Sequence, residues 1–259
     1  TASANCSHRT TSRCWRPGAL AARAHRRQVP RAAPGRVLRA GTANSDSHSL
    51  VTEQLGYPRN VVLTGFDRAS FDRSRFNRAV REGRMVGTNG PYIDARVTDA
   101  TGAVRGPSLE AFAPAANASL AVEVRAAPWI PVTEVRVVVN GAVVRTLSGA
   151  ALQRPADPSG SDGVLRWRGT LPLAQLTGGR DAWIVVEAGL PLPAARDLED
   201  DDGLVDHIDG DGDGAVDDRH LARPRESDPR FHIDVVSPGT LPFAFTNPFV
   251  VDMDGVGGD

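Results

Sequence analysis

Apolar and polar residues alternate along two stretches of this chain. Leu120, Val122 and Val124 are separated by Ala121 and Glu123 and followed by Arg125, while Val135, Val137 and Val139 alternate with Glu134, Arg136 and an apolar Val138. A period of two predicts strands with one face turned to a core. Asn140-Gly141 then separates the second stretch from Ala142-Val143-Val144-Arg145. A tight hairpin turn needs positive φ at both central residues, and Asn-Gly tolerates that best, so a β-hairpin is predicted here. Further strands are expected over residues 164–168, 182–188, 231–236 and 243–251, with turn-rich loops between them. Together they predict an antiparallel β-sandwich, with Trp129, Trp167 and Trp183 in its core. Upstream the period changes: Phe76, Ala79 and Val80 fall at i, i+3 and i+4, and Gly83 follows as a stop, which predicts a short amphipathic helix within residues 71–84. Asn89-Gly90-Pro91 is a turn signal.

Residues 1–40 show neither period. They contain Arg9, Arg13, Arg16, Arg23, Arg26, Arg27, Arg31, Arg36 and Arg39, and no acidic residue precedes Asp46. Such a segment should not fold on its own. It reads as a disordered or aberrant Arg-rich segment, including out-of-frame translation of GC-rich DNA, with a basic arm or a transit peptide as the rival. Over all 259 residues the net charge is -1, which argues against nucleic acid and against a cationic membrane surface as partners. No apolar run approaches the length of a membrane span. Two cysteines, Cys6 and Cys14, cannot staple a chain of this size.

Asn44-Ser45-Asp46-Ser47-His48 sets a carboxylate and an imidazole two residues apart. On an extended strand end both side chains point the same way and can grip one divalent ion, although such a pair also occurs in hydrogen-bonded surface turns. Beyond it stand Gly56-Tyr57-Pro58-Arg59-Asn60, Glu82-Gly83-Arg84, Thr88-Asn89-Gly90-Pro91, Ala127-Pro128-Trp129-Ile130 and Val139-Asn140-Gly141. Asp181-Ala182-Trp183-Ile184-Val185-Val186-Glu187 and Thr246-Asn247-Pro248-Phe249-Val250-Val251-Asp252 complete the series. In this order and spacing, these motifs resemble the C-terminal part of PHP-type metal-dependent hydrolases, the polymerase and histidinol phosphatase superfamily, in its carbaryl-hydrolase-like branch. The resemblance covers residues 41–259.

The resemblance implies a distorted (β/α)7 barrel that holds metal ions at the C-terminal ends of its strands, the last strand ending in Asp-x-His. It implies that Asp46 and His48 are ligands of a divalent transition metal (zinc, manganese or iron), and that the full-length enzyme hydrolyses a small-molecule ester or phosphoester. Residues 41–94 would be the C-terminal remnant of that truncated barrel, and residues 95–259 an accessory β-sandwich, so the whole is mainly β. The family's other ligands, a His-x-His pair with further His and acidic residues, have no counterpart upstream of Asp46: His8 and His25 are isolated. Two ligands fall short of the three or more that a hydrolytic centre needs. A C-terminal fragment lacking a complete active site is therefore expected, with no catalytic residue assigned. Arg59 could hold an anionic substrate group, but a loop-anchoring role suits it better, and Arg84 should tie the loop after the helix.

A second constellation stands on its own chemistry. Asp209, Asp211, Asp213, Gly214 and Asp217 fit Asp-x-Asp-x-Asp-Gly-x-x-Asp, in which alternating carboxylates converge on one hard cation and Gly allows the sharp bend. This resembles the calcium loops of EF-hand, dockerin and thrombospondin-type repeats. His220 stands where an EF-hand has its bidentate Glu, which predicts weak calcium binding by an acidic loop at 197–220. Loops of that affinity suit millimolar calcium, so a periplasmic or extracellular location is favoured. A rival to the hydrolase reading follows: a noncatalytic, secreted, calcium-stabilised β-sandwich binding module.

Overall fold

The computed structural model describes residues 39–45, 56, 58–152, 163–191, 195–196, 207–208 and 241–255. Their elements are β1 (Arg59–Val62), α1 (Arg73–Arg81), β2 (Met85–Thr88), β3 (Tyr92–Thr98), β4 (Val104–Arg105), β5 (Ser108–Phe112) and β6 (Ser119–Arg125). After them come β7 (Glu134–Val139), β8 (Ala142–Ser148), β9 (Leu165–Pro172), α2 (Leu173–Thr177), β10 (Ala182–Gly189), β11 (Ala195–Arg196), β12 (His207–Ile208), β13 (Phe243–Thr246) and β14 (Phe249–Val251).

The larger sheet is built around β10, every residue of which is buried. On one side β10 pairs with β7 from Ile184↔Val139 to Gly189↔Glu134, and β8 continues the sheet through the predicted hairpin. Asn140 and Gly141 hold φ of 48 and 84° there, as the turn requires. On its other side β10 meets two partners end to end: β13 along Glu187–Gly189 and β14 along Ala182–Ile184. The sheet forks at that point. From β13 it runs to β2 and β1, and from β14 to β5, whose pairing is parallel whereas the other pairings are antiparallel.

The single strand expected over residues 243–251 is thus two strands. Thr246-Asn247-Pro248 breaks it, because Pro248 has no N–H to give to a ladder. The Thr246 hydroxyl accepts from Val186 N at 3.0 Å, so the β10 backbone stays satisfied across the gap. Pro248 O accepts from Ser108 N at 2.8 Å and so starts the β5 branch.

The smaller sheet, in the order β4-β3-β6-β9, lies against one face of the larger. Ile93, Ala95 and Val97 from β3 and Leu120, Val122 and Val124 from β6 share one buried cluster with Val135, Val137, Ile184, Val186 and Phe249 of the larger sheet. The period-two residues of the sequence are these. The far face of the larger sheet is also apolar: Val138, Trp183, Val185, Phe243 and Phe245 cluster with Ala43. Glu187 is buried on that face too, 3.3 Å from Arg136, which also contacts Glu134 at 3.0 Å, so the buried carboxylate has the cationic partner that burial demands. A two-stranded ribbon, β11–β12, completes the strands.

Three expectations change. Residues 59–88 do not form the end of a barrel: β1 and β2 are antiparallel, and β2 joins the sandwich through β13, whereas barrel strands run parallel. What stands is a mainly β chain of two packed sheets, in which β3 runs straight through residue 94. Trp129 is 40% exposed, on a turn outside the strands, while Trp183 is buried and Trp167 packs over Gly169 at the edge of the core. The strand expected over residues 231–236 lies outside the described residues. The expected helix is α1, with Asp72 as its N-cap: Asp72 Oδ1 accepts from Arg75 N at 3.0 Å, and Gly83, at φ 68°, ends it.

Candidate functional site

The chain approaches Asp46 along residues 41–44, and two carboxamides hold that approach. A carboxamide offers one N–H face and one C=O face, as a peptide does, so it can pair with a backbone residue in both directions. Asn247, fully buried at the fork, accepts from Gly41 N through Oδ1 at 2.7 Å. Its Nδ2 donates to Gly41 O at 3.1 Å and to Met85 O at 3.3 Å. Asn60 on β1 repeats the device two residues on. Its Oδ1 accepts from Ala43 N at 2.8 Å, and its Nδ2 donates to Ala43 O at 2.9 Å and to Asn44 Oδ1 at 3.0 Å. Between them the Ala43 methyl is buried over Gly87 and Phe245. A Cβ on Gly87 would stand 2.6 Å from Phe245 Cε1 and 3.0 Å from Ala43 Cβ, so only glycine lets these layers close.

Asn89 uses both sides of its carboxamide in the same way, and Asn140 uses the acceptor side. Asn89 Nδ2 donates to Leu241 O at 2.7 Å and its Oδ1 accepts from Phe243 N at 2.6 Å; Asn140 Oδ1 accepts from Trp183 N at 3.0 Å. The asparagines of the quoted motifs therefore act as backbone clamps. In the sequence Asn89, Asn140 and Asn247 stand beside Gly or Pro at strand ends, a signal that the reading by chemistry had passed over, while Asn60 within β1 carries none.

Asp46 and His48 lie outside the described residues, immediately beyond this clamped segment. Asp209, Asp211, Asp213 and Asp217 also lie outside them, and so does the acidic loop at 197–220 apart from the two backbone residues of β12. Arg59 Nη1 donates to Gly56 O at 3.2 Å, the loop-anchoring role. Arg84 reaches Glu82 at 2.8 Å and Glu110 on β5 at 3.4 Å, tying the post-helix loop to the larger sheet as expected.

The sequence did not single out Asp181, Asp252 and Asp254, whose carboxylate oxygens lie within 4.8 Å of one another. They are hard oxygen donors of the type calcium accepts. They also serve the backbone: Asp181 Oδ1 accepts from Met253 N and Asp252 Oδ1 from Gly255 N, both at 2.7 Å, which fastens the end of β14 to the start of β10.

Asp99 is the most heavily bonded carboxylate among the described residues. Its Oδ1 accepts from the Thr101 hydroxyl at 2.6 Å and from Thr101 N and Ala103 N at 2.9 Å, and its Oδ2 accepts from Arg105 Nε at 2.6 Å. The Thr101 hydroxyl foremost, and then Arg105, hold the carboxyl well below the usual carboxylate range. A depressed folded-state value means that Asp99 contributes its full stability above its ordinary value of 3.8 and loses it as pH falls through the folded value. Asp99→Asn should therefore lower the urea midpoint at neutral pH, and the gap from the native chain should narrow below about pH 4. A gap independent of pH would contradict this.

Among the described residues no helix is long and apolar enough to cross a membrane. With the geometry in place, the chain can be set beside known proteins. No family model, curated protein or solved structure matches it. Functional argument therefore rests on the residues themselves and on the resemblance carried by their motifs.

Proposed function

We propose that this chain is the C-terminal portion of a metal-dependent ester or phosphoester hydrolase of PHP type, and that it does not build a catalytic centre alone. The supporting observation is the clamp. Asn60 and Asn247 come from two separate motifs of the resemblance, and they converge on residues 41–44, just before Ser45 and Asp46-Ser47-His48. A segment fixed from both sides suits a metal ligand pair, since affinity depends on ligands held in position. The donor chemistry, one carboxylate oxygen and one imidazole nitrogen, suits zinc, manganese or iron. As a set it is one ligand or more short, so no catalytic step is assigned to it. In the full-length enzyme the barrel would come from residues outside the sandwich and bring the remaining ligands, and the sandwich would brace its last strand.

Equilibrium dialysis against manganese or zinc tests the ligand pair. The native chain should retain weakly bound metal that Asp46→Ala loses, and equal occupancy in the two would remove the pair from the proposal.

A second reading is a noncatalytic, secreted, calcium-stabilised binding module. The spacing of Asp209, Asp211, Asp213 and Asp217 favours it. On that reading millimolar calcium raises the melting temperature by linkage, and Asp211→Ala or Asp213→Ala removes the rise. A melting curve indifferent to calcium would dispose of it.

A further inference from the structure

At one edge of the sandwich, where β3 and β4 of the smaller sheet stand opposite β5 and the end of β1, an open cleft of about 660 Å³ lies between the sheets. Its volume is within the range of small-molecule sites. Arg84, Arg96 and Arg105 line it together with Tyr92, and each guanidinium is already oriented by a carboxylate. Arg96 holds Asp94 through Nε at 2.8 Å and Nη2 at 2.7 Å, Arg105 holds Asp99 through Nε at 2.6 Å, and Arg84 is fixed between Glu82 and Glu110.

What remains unused is mostly donor. Among the described residues both Nη groups of Arg105, Nη1 of Arg84, Nη1 of Arg96 and the Tyr92 hydroxyl have no hydrogen-bond partner. The carboxylates do not absorb them: Arg96 takes both oxygens of Asp94, and both oxygens of Asp99 are occupied. Burial, and then the Asp94 charge, push the Tyr92 phenol up, so it stays a donor at neutral pH. Glu82 and Asp99 back Arg84 and Arg105, so with Asp94 and Glu110 the three guanidinium groups are outnumbered by carboxylates, and selectivity comes from the direction of the free N–H groups rather than from net charge. Val104, 64% exposed at the rim, adds apolar surface for the carbon face of a ligand.

We propose that this cleft binds a hydroxylated carboxylate such as a uronic acid, with its carboxylate on the free Nη edges of Arg105 and its hydroxyls on Tyr92 and Glu110. A planar fork meets a planar carboxylate through two parallel bonds, which selects this head group. The site uses neither Asp46 and His48 nor the acidic loop, so it stands or falls apart from the function proposed above.

The test is an amide NMR titration of the full chain with galacturonate, glucose 6-phosphate and glucose. Galacturonate should displace the amides of Arg96, Arg105 and Gly106 saturably, with a Kd at least about tenfold below those of the other two. Tyr92→Phe should weaken binding about threefold to tenfold, and Arg105→Gln about tenfold or more. Should Arg105→Gln lose the fold through Asp99, Tyr92→Phe still decides, because its hydroxyl has no structural partner. No displacement, displacement centred elsewhere, glucose or glucose 6-phosphate binding as tightly, or unchanged binding in Tyr92→Phe would each overturn the proposal.

Discussion

Gly189→Ala should be the most damaging single methyl added to this sandwich, lowering stability by about 4 kcal/mol. Gly189 ends β10 at φ 146°, a region that side-chain-bearing residues rarely enter. Any Cβ there would fall onto the carbonyl oxygen of Pro242 and within 2.9 Å of Phe243 Cα. These are backbone atoms, and they are themselves fixed: Leu190 N donates to Pro242 O at 3.0 Å, and Phe243 N is held by Asn89. Neither the strand nor its neighbour can yield without opening the ladder that joins β13 to β10. A chain with a total stability of about 5–15 kcal/mol would be left marginal or unfolded at room temperature. Urea denaturation of the native and variant chains measures this, and a loss under about 1 kcal/mol would show that the close approach is not as tight as the geometry requires.

Asn247→Ala should cost about 3 kcal/mol, because it strands Gly41 N and Gly41 O beside a buried void, while Met85 O keeps the backbone N–H of residue 247. The effect has a location as well as a size. Amide exchange at Gly41 and Ala43 should rise towards that of an unprotected segment, while Val135, Val137 and Ile184 in the central ladder keep most of their protection. Asn60→Ala, at a half-exposed site, should cost about 1 kcal/mol and loosen Ala43 alone. If Asn247→Ala lost under about 1 kcal/mol, or loosened the whole sheet uniformly, the carboxamide would not be the fastening described above.

The parts of the fold legible in the sequence are those set by local rules. Leu120, Val122 and Val124, and Val135, Val137 and Val139, each present one buried face by alternation, and Asn140-Gly141 dictates its own turn. β10 was visible as an apolar run because both of its faces are covered. Pro248 was a local signal for the break between β13 and β14, but the fork itself was not legible, since the partners each half takes, β2 and β5, lie far away in sequence. β5 itself, Ser-Leu-Glu-Ala-Phe, alternates over only four residues, too few to announce a strand, and it forms because Pro248 O and β14 offer it an edge. Trp129 was placed in the core on residue type alone, and its turn leaves it outside.

The candidate chemistry divides along the same line. Asp46-x-His48 and the 209–217 pattern are local spacings, so sequence could propose them. Asp181, Asp252 and Asp254 could not be found that way: Asp181 meets the other two only because Ala182 pairs with Val251. The cleft arginines likewise come from the loop before β2, from β3 and from β4, and no spacing in the chain connects them.

The account's central claim is that the asparagine clamps fix the segment whose end carries Asp46 and His48 as a metal-binding pair. Paramagnetic broadening by manganese tests it most directly, because the amides of Ala43, Asn44 and Asn60 sit just before that end and report any ion held there. The account predicts that manganese added to the full chain broadens these amides first and that Asp46→Ala abolishes the effect, leaving any broadening of Met253 and Gly255 from the Asp181, Asp252 and Asp254 cluster unchanged. Broadening confined to Met253 and Gly255, or broadening at Ala43 and Asn60 that survives Asp46→Ala, would contradict it.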